Sequence, residues 1–284
     1  MMSAKRARLA RWIEGDGIEI GALHRPLDVP PGARVRYVDH LPEEELRHHY
    51  PELASEPLVP VSVIGSAEDL SAFAGESLDF VIANHLLEHL EYPIRALLEF
   101  QRVLRPGGLL YLALPDRRVT FDRRRDPTTV DHILDEHRED AAERSRRSHY
   151  LDWAVNVDGK QPGAEADGHT DRLLEQGYSI HFHVWDPDSF LALLVAARGQ
   201  AGVQLEVLQL AAPEFERDDE FILLLARPAA QAPRLPPATV RAPSDAPSPA
   251  AAAPPSARSM LRQRLARSPL GPPLRLARRA IRRR

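Results

Sequence analysis

LDFVIANHLLEHLEYPIRALLEFQRVLRPGGLLYLALPD, residues 78–116, decides how this 284-residue chain folds. Its first seven residues, Leu78 to Asn84, are apolar on both alternating faces, as in a strand covered from two sides. A helix is then expected, with Ile94, Leu97, Leu98, Gln101 and Leu104 on one face. Pro106-Gly107-Gly108 is expected to stop it, and Leu109 to Asp116 reads as a further strand.

The same alternation extends in both directions. Short apolar or β-branched strands are expected at GIEIG (17–21), VRYVD (35–39) and LVPVSVIG (58–65), with a charged helix at about 42–49. Residues 117–180 break the rhythm. They are polar, rich in histidine and only locally periodic, which suggests an inserted helical lid after the fifth strand. Regularity returns with a helix near 187–197 and two late strands, 203–210 and 220–226, suited to an antiparallel pair at one sheet edge. Continuous apolar strands separated by helices predict an α/β fold: a Rossmann-like, seven-stranded, mostly parallel sheet with helices on both faces. Ligands of such sheets lie beyond the carboxyl ends of the strands.

Composition sets outer bounds. Hydrophobic residues make up 43% of the chain, enough to bury a core, and no apolar run approaches the length of a membrane span. The basic N-terminus has no apolar signal core behind it, and there is no cysteine to form disulfides, thiolate metal sites or a thiol nucleophile. A cytoplasmic protein is expected. The net charge of −4 hides an asymmetry. Residues 1–227, the expected domain, carry −15, and residues 228–284 carry +11. An acidic body disfavours nucleic acid as a substrate. Residues 228–255, with nine prolines, read as a disordered linker. The arginine-rich tail, 256–284, is a candidate for contact with an anionic membrane surface or an acidic partner.

Four strand ends offer groups that can hold a ligand: Glu19 and Gly21, then Asp39, then Ala67-Glu68, then Asn84-His85. The 78–116 block resembles the fourth-to-fifth-strand region of class I S-adenosylmethionine-dependent methyltransferases, of the type 11 kind. It has an acidic-aromatic strand start, a turn before Glu88-His89, and then Arg-Val-Leu-Arg-Pro-Gly-Gly. GIEIG resembles the family's first motif, and VRYVDHL its second-strand end. The resemblance covers about residues 10–116. It implies S-adenosylmethionine as cofactor, with Glu19 and Gly21 at its methionine end and Asp39 on the ribose. It also implies Ala67 and Glu68 at the adenine, and Asn84 with His85 facing the methionine portion. Two glycine positions of the first motif hold Leu23 and Arg25, and Ser66 stands where an aspartate is common. A degenerate methyltransferase-like scaffold acting through the basic tail is therefore the alternative to an enzyme.

The reaction implied is in-line transfer of a methyl group to an oxygen or nitrogen of a small molecule or a glycan precursor. The base is sought among Asp116, His132, His137, His149, His181 and His183, with His149 and His183 preferred. No metal ligand is assigned, because none of these spacings is diagnostic. A nitrogen-rich site of His181 and His183 with His132 or His149 is the alternative. Glu88 and His89 are expected to fix the start of the following helix, and Asp122 to Asp126 to form a solvated turn.

Overall fold

The computed structural model describes residues 4–53, 55–139, 142–214 and 218–229. The expected tail and all but the first two residues of the expected linker lie outside them. Seven strands form one sheet: β1 (Gly15–Ile20), β2 (Ala33–Asp39), β3 (Val61–Ile64), β4 (Leu78–Asn84), β5 (Leu104–Pro115), β6 (Glu206–Ala211) and β7 (Glu220–Ala226). Their order is β3-β2-β1-β4-β5-β7-β6. β1 pairs in parallel with β2 and β4, β2 with β3, and β4 with β5. β7 runs antiparallel to both β5 and β6. The sheet is the Rossmann-like, mostly parallel one expected from the alternating pattern.

Successive side chains of a strand point to opposite faces, and the core divides accordingly. On one face Ile18, Val81, Ala83, Leu110 and Leu112 pack with α3 (Pro93–Val103), α4 (Val130–Glu139) and α7 (Pro187–Gln200) through Leu97, Phe100, Ile133, Phe190 and Leu193. On the other face Phe80, Ile82, Tyr111, Ala113, Ile222 and Leu224 receive Leu9 and Ala10 of α1 (Ala4–Ala10), with Ile13 and Leu27. β1 lies so close to β4 that a Cβ on Gly17 would stand 2.4 Å from the Phe80 carbonyl oxygen. Glycine is required there for close approach, not for its backbone angles.

Three features depart from the sequence reading. α3 ends at Val103, and β5 begins at once, so Pro106-Gly107-Gly108 lies within the strand. The register opens there: Leu78 faces Leu104, and Phe80 faces Leu109. This bulge, not the helix end, uses the glycines. Second, β1 and β2 are joined by residues 21–32 without a helix, and α1 from before β1 supplies helical cover on that face. Third, the basic N-terminus, for which no element was expected, forms α1. Lys5 is buried, its ammonium 2.6 Å from both Asp218 Oδ1 and the Glu220 carbonyl.

Between β5 and α7 the chain forms two 3-10 turns, Arg117–Val119 and Phe121–Arg124, then α4, α5 (Ala142–Asn156) and α6 (Ala164–Gln176). α5 and α6 share a small core of Tyr150, Trp153, Val157 and Leu173, closed by Ile180 and Phe182. Residues 180–185 then cross the loop after β4, where the amides of Phe182 and His183 donate to the Glu88 carbonyl at 2.8 and 3.3 Å.

Candidate functional site

Strands β2, β1 and β4 are adjacent and parallel, so Asp39, Glu19 and Asn84 meet at one end of the sheet. The strand order reverses around β1, which makes this the switch point where open α/β sheets bind ligands. Glu19 is buried. Its carboxylate accepts from the Leu27 amide at 3.1 and 3.0 Å and from Asn84 Nδ2 at 3.1 Å. Burial pushes its pKa up to about 7, against the Leu27 and Asn84 bonds that favour the ionised form. Glu19 therefore folds the 21–32 connection back over the strand end. Asn84 Oδ1 is buried with no hydrogen-bond partner, so an acceptor waits at the end of β4.

Gly21 has φ +69, and its amide donates to the Val38 carbonyl at 2.9 Å. Leu23 and His85 also have positive φ, 48 and 50, without the freedom of glycine. Strained non-glycine backbone stands on both strand ends that flank the switch point. Asp39 is buried, and its Oδ1 accepts from the His40 amide at 2.8 Å. It caps no helix: α2 (Glu43–His49) starts after Pro42 with no side-chain cap. Ala67 is buried in the main core. Glu68 is turned away along the next loop, where Oε1 accepts from the Tyr92 amide at 3.0 Å. Tyr92 is the residue before α3, so Glu68, not Glu88 or His89, supports that helix start.

His85 faces β7. Its Nε2 lies 2.8 Å from Glu220 Oε2, and Nδ1 lies 3.6 Å from Glu88 Oε1. Burial opposes charge on this ring, but the hydrogen bond to Glu220 and the nearby Glu88 carboxylate outweigh it and raise the pKa to about 9. Arg6 grips the same Glu220 carboxylate with two bonds, 2.8 and 2.6 Å. Burial works against the Glu220 charge, yet Arg6 and His85 hold its pKa well below the carboxylate range. Sequence reasoning missed Glu220; the available signal was a single acid opening an otherwise apolar strand.

The remaining candidate residues fall into three groups. Asp116 is fully buried and paired with Arg118 at 2.6 Å, capping the turn that follows β5. His181 and His183 do not act together. His181 Nδ1 lies 2.7 Å from Asp122 Oδ2, and Asp122 pairs with Arg125 at 3.0 Å. Both partners are buried, which corrects the expected solvated turn. Burial works against the Asp122 charge, but His181 and Arg125 keep its pKa at about 2. His181 also joins His89 and the fully buried Glu88, neither of whose oxygens has a hydrogen-bond partner. Glu88 sits in a 3-10 turn, Leu87–His89, and caps nothing.

His183 instead joins His132, His149 and Glu136. It is fully enclosed, and burial, followed by neighbouring His149, lowers its pKa to about 3. It has neither the access nor the basicity to take a proton from an acceptor at neutral pH. His149 Nε2 is engaged with Glu136 and His132, each at 3.1 Å. His137 takes no part in this cluster. Glu136 was missed, though its i,i+4 spacing from His132 was a readable signal.

The sheet order is that of a Rossmann-like, mostly parallel fold with acid-bearing strand ends at its switch point. Residues 17–112 match the family model described as a methyltransferase domain. No curated protein sequence matches the chain significantly. Among solved structures, the chain is similar to an S-adenosylmethionine-dependent methyltransferase of Methanosarcina mazei. Identity is 17%, over 81% of this chain and all of that one, with a TM-score of 0.43. It is also similar to one from Thermotoga maritima, at 18% identity over 75% of this chain and 82% of that one, TM-score 0.39. An arsenic(III) S-adenosylmethionine methyltransferase of Chlamydomonas reinhardtii aligns at 18% identity over 75% and 63% of the two chains, TM-score 0.36. Among the described residues, no helix is long and apolar enough to cross a membrane.

Proposed function

We propose that this protein binds S-adenosylmethionine across the carboxyl ends of β2, β1 and β4 and transfers its methyl group. The observation that carries this reading is the convergence of Asp39, Glu19 and Asn84 on the switch point of a methyltransferase-family sheet. The donor set fits the cofactor. Asp39 is a buried carboxylate at the end of β2 that caps no helix, suited to a pair of ribose hydroxyls. The orphaned Asn84 Oδ1 can accept from an ammonium. Gly21 lets a ligand approach the backbone; the loop after β3, which carries Ala67 and Glu68, would face the adenine through its backbone, since the Glu68 carboxylate is engaged by the Tyr92 amide. The cofactor has no pyrophosphate, so a glycine-poor first motif lacking the usual phosphate cradle is no obstacle.

The cofactor supplies an electrophilic methyl on a sulfonium, whose charge disappears in the transition state. The protein's part is alignment and exclusion of water. Residues 180–185 cross the loop after β4, held by the Phe182 and His183 amides on the Glu88 carbonyl, and on this reading would flank the acceptor. The acceptor class, a small molecule or a glycan precursor methylated on oxygen or nitrogen, rests on the family resemblance and on the acidic body. The test is transfer of an isotope-labelled methyl group to a panel of saccharides, sugar nucleotides and small phenols and amines. Label is expected on a saccharide or small molecule. Cofactor binding with label on RNA alone would overturn the acceptor class.

A further inference from the structure

His132 and Glu136 stand one turn apart on α4, His149 comes from α5, and His183 comes from the segment crossing the β4 loop. His132 Nε2 and His149 Nε2 are 3.1 Å apart. Each lies 3.1 Å from Glu136 Oε1, and His183 Nε2 lies 3.6 Å from Glu136 Oε2. All four donor atoms fall within 4.8 Å of one another, and Glu136, His149 and His183 are buried. We propose that His132, Glu136, His149 and His183 bind one divalent transition-metal ion of the Zn2+ class.

Two arguments support this, and neither depends on the methyl-transfer reading. The first is spacing. A tetrahedral ion with donors at about 2.0–2.1 Å separates them by about 3.4 Å, close to the distances seen. The second is proton inventory. A neutral imidazole has one N–H and one lone pair. If both His132 and His149 donate from Nε2 to Glu136, the two N–H groups confront each other. If either does not, its lone pair faces the carboxylate. Ser145 Oγ already donates to the same Glu136 oxygen. Glu136 Oε2 and His183 Nδ1 are buried without any hydrogen bond. A cation at the centre would take the Nε2 lone pairs of His132 and His149 and the open Glu136 oxygen; His183 would bind through Nε2, which otherwise lies 3.4 Å from the Glu91 carbonyl.

The donor set is three imidazoles and one carboxylate, which suits zinc or a neighbouring metal and not calcium or magnesium. With four protein ligands the site is closed, the pattern of a structural centre. It would fasten α4 and α5 to residues 181–185, and through the amides of Phe182 and His183 to the loop after β4. The metal would thus hold the segment that would flank the acceptor.

The test uses the full-length protein, purified from zinc-supplemented culture, assayed for metal, stripped with a chelator and titrated with Zn2+ and Co2+. One equivalent is expected, with the intense visible bands of tetrahedral Co2+. Stripping should lower the melting temperature of the wild type, a readout that needs no variant. Glu136→Gln and His132→Gln, folded by circular dichroism, should each weaken binding at least about 100-fold, since outer partners alone are worth 10–100-fold. Absence of stoichiometric metal, an octahedral Co2+ spectrum, or wild-type affinity in Glu136→Gln would overturn the proposal. So would metal lost only in His89→Gln, which would assign the ion to the Glu88, His89 and His181 cluster.

Discussion

The strand ends of β2, β1 and β4 and the helical segment between β5 and α7 hold polar groups in opposite ways. At the strand ends, Glu19, Asn84 and Asp39 are satisfied mainly by neighbouring backbone and by one another, and an acceptor is left over. In the helical segment, buried charges are paired both locally and across the segment: Asp122 with Arg125 three residues on and with His181, and Arg125 also with the half-exposed Asp152 at 2.5 Å. The first arrangement is the one proposed above as a receptor for a ligand. The second is a clamp, in which polar groups replace the apolar contacts that a histidine-rich sequence lacks.

That difference is sharpest at Asp122. A carboxylate in a solvated turn could be removed at a cost within about 0.5 kcal/mol. Removing Asp122 leaves the buried His181 without its carboxylate, while Arg125 keeps Asp152 and the His181 carbonyl, so Asp122→Ala is expected to cost about 3 kcal/mol in denaturant unfolding, the low end for a broken buried ion pair. A value near zero would return this segment to the solvated class and remove the contrast.

Glu19→Gln probes the receptor side. A carboxyl whose folded pKa lies near 7 holds its proton longer than the unfolded chain does. Its stabilising contribution is present below about pH 4.5 and is lost as pH rises through 7, a change of about 3 kcal/mol. Arg6 and Asp28 are the charged groups that face it. The glutamine cannot ionise, and its amide can donate to the orphaned Asn84 Oδ1. The variant should therefore gain about 3 kcal/mol over wild type between pH 4.5 and 8 while losing affinity for S-adenosylhomocysteine. A constant difference across that range would show Glu19 ionised throughout, with no strain held at the strand end.

A smaller effect is expected at Tyr111, whose hydroxyl is buried without a partner among Arg6, Glu220 and Glu19. Tyr111→Phe should raise stability by about 1 kcal/mol, a few degrees in melting temperature. A loss of similar size would mean that the hydroxyl is held by the Glu220 network.

The strands were legible because each is a local pattern: LDFVIAN is buried almost throughout, as its unbroken apolarity required. The receptor residues were legible for the same reason, since a strand end is fixed by its own strand. The clamp was not. Lys5 and Arg6 gained meaning only from Asp218 and Glu220, more than 200 residues away, and an arginine-rich N-terminus carries no mark of that pairing. An extended segment would place histidines 181 and 183 on one face, but the chain bends at residues 182–183 and they enter different clusters. Nothing in their spacing says which partners α4 and the β4 loop will bring.

The central claim is that the strand ends bind the cofactor, and calorimetric titration of the full chain with S-adenosylhomocysteine tests it most directly. Binding in the micromolar range, abolished by Asp39→Ala in a protein that remains folded, is the predicted result. A folded wild type that takes up no cofactor product, or a variant that binds as tightly as wild type, would contradict it. The first outcome would favour a methyltransferase-like scaffold, and the second would move the site away from β2.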